Sequence, residues 1–227
     1  MYNGKLVIVS LTTWTKRIGN VHKTIDCILK QTVPPDTIEL NLSLVEFPNK
    51  EDSFPEDFQL YIKQHNDILH INYLEGNTKA FKKIIPTVQK YYGKDYYLLS
   101  VDDDCLYRED YIEMMLKKFT TMPCDFMCMR DVGMAGSRMV YKSDCFKPDF
   151  WEGFVKLPKG IIDKSVDDSY YFHYLGKHGK KLGNFKFPSD FKDIFSFHDD
   201  VDGLHETYRK PGYMDSINNA MHKLQFK

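Results

Sequence analysis

The 227-residue chain is predicted to be an α/β protein built on an open, mostly parallel, doubly wound sheet. Three observations carry that prediction. Strand-like apolar runs alternate with amphipathic helical stretches through the first 130 residues, the pattern of βαβ units. One run, Asp95-Tyr-Tyr-Leu-Leu-Ser-Val101, is apolar or aromatic at every position after Asp95 except Ser100, as in a strand buried on both faces of a parallel sheet. Asp102-Asp103-Asp104 follow it at once, at the carboxyl end where such sheets bind ligands. Adjacent carboxylates repel one another and have low strand propensity, so the triplet needs a cation or oriented N–H donors. A hard divalent metal is the simplest such partner; a solvated acidic turn is the plainer reading.

In chain order, Lys5 to Leu11 is the first strand and Thr12 to Gly19 the polar loop leaving it. Asn20 is placed to cap a helix whose Val21, Ile25, Ile28 and Leu29 form one stripe. Pro34-Pro35 ends that unit, and Ile38, Leu40, Leu42 and Leu44 alternate as a second strand. Glu46 to Pro55 reads as a loop, Phe58, Tyr61 and Ile62 as a short helix, and Ile68 to Leu74 as a third strand. Lys79 to Tyr92 has helical spacing, with Pro86 kinking the helix or sitting in its first turn. The run from Tyr96 is the fourth strand, Glu109 to Phe119 a helix, and Phe126 to Met129 a fifth, short strand.

The second half is less regular. Gly133 and Gly136 flank a turn, Met139 to Tyr141 reads as a strand, and Lys147 to Asp163, with Pro148, Pro158 and Gly160, reads as a loop. Val166 to Leu175 is helical and begins with Asp167-Asp168, carboxylates that a helix dipole alone would favour. Met214, Ile217, Met221 and Leu224 form a stripe in a basic tail; packing on the domain is favoured over peripheral membrane contact.

Composition narrows the function classes. Thirty-one basic and 32 acidic residues give a net charge of −1, so no global field draws the chain to nucleic acid. Cys27, Cys105, Cys124, Cys128 and Cys145 are odd in number and form no C-x-x-C pair, which points away from a disulfide framework or structural zinc and toward a reducing compartment. With no secretory signal pattern and no apolar run near ~18 residues, the expectation is a soluble, cytoplasmic, single-domain protein.

Val9-Ser-Leu-Thr-Thr13 with Arg17, Gln31-Thr32, Lys82-Lys-Ile-Ile-Pro86, Ser100-Val-Asp-Asp-Asp104 with Tyr107, and Asp167-Asp168 occur in order along the chain. Together they resemble small bacterial or viral glycosyltransferases of the GT-A type, over residues 5 to 175. A lone D-x-D is a weak sign, and the ordered set is a stronger one. The resemblance implies a nucleotide-binding α/β/α sandwich with a mostly parallel central sheet. Residues 1–130 would bind the nucleotide sugar, and residues 131–227 the acceptor. It implies a hexosyltransferase of polysaccharide biosynthesis that uses Mn²⁺ or Mg²⁺ to transfer a sugar, from a UDP-sugar in the first instance, to a glycan or glycolipid hydroxyl.

Residue roles follow from that resemblance and the chemistry. Asp104 is the first metal ligand, Asp102 ligates directly or through water, and Asp103 accepts hydrogen bonds from ribose or donor sugar. Arg17 and Lys83 add positive charge at the phosphates, unless they are ordinary surface cations. Thr12 and Thr13 lie where a uracil or ribose would sit. An acceptor hydroxyl must lose its proton, and in an inverting enzyme Asp168 is the general base, with Asp167 as the alternative base or an acceptor-orienting group. His198 would close on the metal from the C-terminal half, and Arg130 would touch the acceptor. The rival readings are a nucleotidyltransferase and a haloacid-dehalogenase-like phosphatase using Asp102 and Asp104. In the latter, the motif follows the first strand, whereas here it follows the fourth. A calcium loop starting at Asp102 fails because Leu106 and Tyr107 stand where oxygen and Gly are needed.

Overall fold

A computed structural model describes residues 1–128, 138–164, 167–184 and 195–197, with residues 217, 219, 221, 223 and 224. The first half runs β1 (Leu6–Thr12), α1 (Val21–Leu29), β2 (Thr37–Ser43), α2 (Glu56–Gln64), β3 (Leu69–Leu74), a 3-10 turn (Lys79–Lys83), α3 (Ile85–Lys90) and β4 (Tyr96–Ser100). Then come β5 (Cys105–Tyr107), α4 (Tyr111–Thr121), β6 (Phe126–Cys128), β7 (Met139–Lys142), α5 (Pro148–Phe154), α6 (Lys159–Ile162), α7 (Asp167–Lys177), β8 (Leu182–Asn184) and β9 (Phe195–Phe197).

Seven strands form one sheet in the order β3-β2-β1-β4-β7-β6-β8. The β3-β2-β1-β4 half is parallel throughout, with Ser10 registered against Ser100. Strand β7 runs against β4 and β6, and β8 is parallel to β6, so within this sheet β7 alone is reversed. A second, two-stranded ribbon pairs β5 with β9.

Apolar residues cover both faces. Val7, Val9 and Leu11 of β1 point with Ile38, Leu40 and Leu42 into a core with α1, α2 and α4, while Ile8 joins Tyr96 and Leu98 against α3, α5 and α7. That is the doubly wound arrangement expected of buried parallel strands. Ile217, Met221 and Leu224 are buried in the second of these cores, so this part of the tail stripe packs on the domain; Met214 lies outside the described residues. No helix among the described residues is long and apolar enough to cross a membrane.

Three local readings need correction. The segment from Lys147 to Asp163 is not a loop: it forms α5 and α6, because Pro148 sits in the first turn of α5 and Pro158 just before α6, where a missing N–H costs nothing. In β2 every residue is buried, because α3 covers its polar face as well. Strands β5, β8 and β9 are three residues each and leave no periodic signal; the strand at Phe126 is therefore the sixth. Asn20 stands at the N-cap of α1 but makes no side-chain capping bond.

Candidate active site

The Asp triplet leaves β4 at the carboxyl end of the sheet, and neighbouring loops hold each carboxylate separately. Thr13, just past β1, donates its hydroxyl to Asp103 Oδ2 at 2.5 Å. Arg17 Nη1 reaches Asp103 Oδ1 at 3.0 Å and Asp104 Oδ2 at 2.9 Å, bridging the two. Lys83 Nζ donates to Asp102 Oδ1 at 2.8 Å. The backbone is fixed too: Thr24 of α1 donates to the carbonyls of Asp103 and Cys105 at 3.1 and 2.8 Å, and the Asp102 N–H donates to the Tyr107 hydroxyl at 2.9 Å. A turn gripped this way is not an acidic turn left to solvent.

Burial raises the pKa of Asp103 and Asp104 above the ordinary carboxylate range, and neighbouring carboxylates add to it, with Arg17 opposing. Lys83 is nearly buried; that disfavours its charge, but Asp102, Asp167 and Asp168 outweigh the penalty and hold its pKa above normal. Asp167 is 4% exposed, and burial, then Asp168, push its pKa well above that of an ordinary Asp, although Lys83 pulls the other way. Its Oδ2 has no hydrogen-bond partner among the described residues. Tertiary folding therefore sets the pair at the head of α7 within electrostatic reach of the triplet, with Lys83 coupled to both.

Arg138 is a residue the sequence reading missed. It lies just before β7 with φ of +66°, donates its N–H to the Ser100 carbonyl at 2.8 Å, and is 5% exposed. Burial disfavours its charge, but Asp102 and the Tyr107 hydroxyl hold its pKa above normal. No spacing or motif announces it; only the long-range pairing of β7 with β4 brings it under the triplet. Arg130 and His198 lie outside the described residues.

The donor set fits a hard divalent cation. Among the described residues, Asp102, Asp103, Asp104, Asp167 and Asp168 are coupled to Arg17, Lys83 and Arg138, and Lys82, itself paired with Glu46, also reaches Asp103, so carboxylates outnumber cations here. Asp102, Asp104 and Cys105 can bring one ligand atom each within 4.8 Å of one another. Cys105 is a poor member of that group: burial first, then the two Asp charges, keep its thiol protonated, and the S–H points to Asp104 Oδ1 at 3.5 Å. The usable pair is Asp102 and Asp104, whose oxygens suit Mg²⁺ or Mn²⁺.

Arg17 and Asp103 differ from the expectation in a definite way. Arg17 is spent on the triplet, and both Asp103 oxygens already accept from Thr13 and Arg17. Thr12 is likewise engaged, donating to the Asn41 carbonyl at 2.7 Å. Removing one partner of a buried pair leaves the other charge uncompensated. Arg17→Ala is accordingly expected to destabilise the fold by about 3–5 kcal/mol; denaturant unfolding reads this directly, and a change below about 1 kcal/mol, the level of an exposed pair, would refute it.

Asp167→Asn should do the reverse. Because folding raises this pKa, the ionised form costs stability as pH climbs above the unfolded value toward the folded one. The variant should melt higher than wild type at neutral pH, and the gain should vanish below about pH 4, where Asp is protonated in both states. A lower melting point at neutral pH would contradict the burial cost.

No protein-family model and no curated protein matches the chain. Solved structures do. S. aureus TarS residues 1–349 in complex with UDP-GlcNAc aligns with a TM-score of 0.62 at 11% identity, covering 98% of this chain and 68% of that one. TarS residues 1–349 alone gives 0.55 at 13% identity, covering 81% and 58%. Mannosyltransferase PcManGT from Pyrobaculum calidifontis in complex with GDP-Man and Mn²⁺ gives 0.55 at 14% identity, covering 81% and 55%. The chain thus spans 55–68% of the length of the chains in these three structures. At such identities the likeness is one of architecture, and by it this chain has the α/β fold of GT-A-type glycosyltransferases.

Proposed function

We propose that the chain is a metal-dependent glycosyltransferase that moves a sugar from a nucleoside diphosphate sugar, a UDP-sugar in the first instance, to a hydroxyl of a glycan or glycolipid, with inversion. The observation that carries this reading is Lys83: its ammonium is bonded to Asp102 and electrostatically coupled to Asp167 and Asp168, which joins a metal-binding pair and an acid-base pair in one site. The likeness of fold to proteins solved with UDP-GlcNAc and with GDP-Man and Mn²⁺ supports the donor class.

Asp104 and Asp102 would hold the Mn²⁺ or Mg²⁺. That ion supplies positive charge to the departing nucleoside diphosphate. Arg17 and Thr13 fix Asp103 as an internal brace, and Arg17 also holds Asp104. Lys83 adds a fixed charge beside the diphosphate, and Thr12 and Thr13 line the mouth of β1 where the nucleoside lies. Asp167, buried with a raised pKa, keeps its proton more readily than an ordinary Asp and orients the acceptor. Asp168, less buried, is left as the base that takes the acceptor's proton. His198, outside the described residues, would be a further metal ligand.

Residues 1–130 would serve the donor, and residues 131–227 the acceptor, within a single cytoplasmic domain. The test is a panel of nucleotide sugars screened by thermal shift with Mn²⁺, where a ligand at about 100 times its Kd stabilises by roughly 2.7 kcal/mol. Calorimetry in EDTA is expected to show nucleotide affinity falling at least tenfold, since diphosphate and the carboxylates then share one crevice unscreened. Unchanged affinity would remove the metal from the account, and release of pyrophosphate rather than of nucleoside diphosphate would make the protein a nucleotidyltransferase.

A further inference from the structure

Lys83 ends the 3-10 turn, and Pro86 sits in the first turn of α3. Proline has no N–H to donate, so the carbonyls just ahead of it need another donor. Ser10 of β1 supplies one: its hydroxyl donates to the Lys83 carbonyl. The backbone carbonyl of the same Ser10 accepts the N–H of Val101 at 3.1 Å, one residue before Asp102. A single residue therefore holds both chains of the Lys83–Asp102 pair, one through its side chain and the other through its main chain.

The Ser10 hydroxyl is in turn fixed in direction. Its proton is committed to Lys83, so Thr87 Oγ1, at 2.7 Å, is the donor in their mutual contact. Asn41 Nδ2 donates to Ser10 Oγ at 3.2 Å and to Thr87 Oγ1 at 3.0 Å, while Asn41 Oδ1 accepts from Asn72, which also donates to Glu39 Oε2 at 2.7 Å. Glu39 takes further bonds from Lys90 and Tyr91 of the α3 segment. Ser10, Asn41, Thr87 and Glu39 have no exposure at all. On the opposite face of β2, Ile38, Leu40 and Leu42 make an ordinary apolar contact that holds helix to sheet. An apolar contact would serve the α3 face as well for stability, but it has no directional bonds with which to orient a lysine.

Building on the role given to Lys83 above, we infer that Ser10, with Thr87 and Asn41 behind it, is a positioning residue that aims the Lys83 ammonium at Asp102. The seam touches no substrate and acts through the Lys83 backbone.

The test compares Ser10→Ala, Thr87→Val and Thr87→Ser, each alone and in a Lys83→Ala background. Two readouts are needed. In the free protein, ¹⁵N NMR follows hydrogen exchange of the Lys83 ammonium, assigned by its loss in Lys83→Ala; this readout stands whether or not the transfer reaction is as proposed. Exchange should quicken by about tenfold or more in Ser10→Ala and Thr87→Val, the scale of one weakened charge-assisted hydrogen bond, and return toward wild type in Thr87→Ser, which keeps the hydroxyl. Turnover on the nucleotide sugar should fall in the same order and show no further fall when Lys83 is already alanine. Thr87→Val, nearly isosteric, keeps the test valid if Ser10→Ala does not fold. A seam that only stabilises the core would lower the melting point and leave ammonium exchange unchanged, and that result overturns the proposal. Altered exchange in both hydroxyl-deleting variants with wild-type turnover in Lys83→Ala would keep the positioning and overturn instead the part given to Lys83 in the reaction.

Discussion

Asp104→Ala is expected to lower sugar transfer by roughly 10²–10³-fold, the scale on which removing one electrostatic stabiliser of a departing group acts. The fold should survive. Asp104 carries a pKa raised by burial and by Asp102, so its loss relieves repulsion, and Arg17 keeps its bond to Asp103 at 3.0 Å. The melting point should stay close to wild type while Mn²⁺ affinity, measured by calorimetry, drops with the rate. A variant that keeps most of its turnover would reduce the triplet to a braced turn, and one that fails to fold would show Asp104 to be structural.

Asp168→Asn is expected to cost ~10²–10⁴ in transfer, the usual worth of a positioned base, with nucleotide-sugar binding unchanged. The substitution keeps shape and removes only the proton acceptor. Helix α7 starts at Asp167, so Asp168 lies in its first turn; the charge–dipole loss is about 0.3–1 kcal/mol, and the lost attraction to Lys83 is opposed by the relief of repulsion with Asp167. If Asp168 merely suits the helix, transfer stays near wild type. NMR of the product's anomeric proton adds a second reading: retained configuration would remove the need for a base at this position, even if the variant is slow.

The two substitutions separate cleanly because the proposed metal-binding and acid-base groups come from different elements. Asp104 follows β4 and Asp168 lies in the first turn of α7; Lys83 is coupled to carboxylates of both groups, and Asp167 is coupled to Asp102. A change at one end should therefore leave the other end's binding property measurable.

Much of this was legible in the sequence. A strand buried on both faces must be apolar throughout, so Tyr96 to Val101 announced itself, and the three Asp residues after it had to lie at the carboxyl end of a parallel strand. The stripes of α1 and α4 and the Asp167-Asp168 start of α7 were equally readable, because periodicity and helix-end charge are local properties. What tertiary structure alone decided is which charges meet. Thr13 and Asp103 are 90 residues apart, Arg17 and Asp103 86, and Ser10 and Lys83 73. Sequence reading sent Arg17 to a phosphate; the fold spends it on two carboxylates. The fold seals the polar half of β2 under α3 in a hydrogen-bonded seam, and Arg138, which no motif announces, reaches the triplet only because β7 pairs with β4. Burial pattern and helical period are set by each segment's own composition, but a salt bridge or a buried hydrogen bond depends on distances that exist only once the strands have been laid side by side.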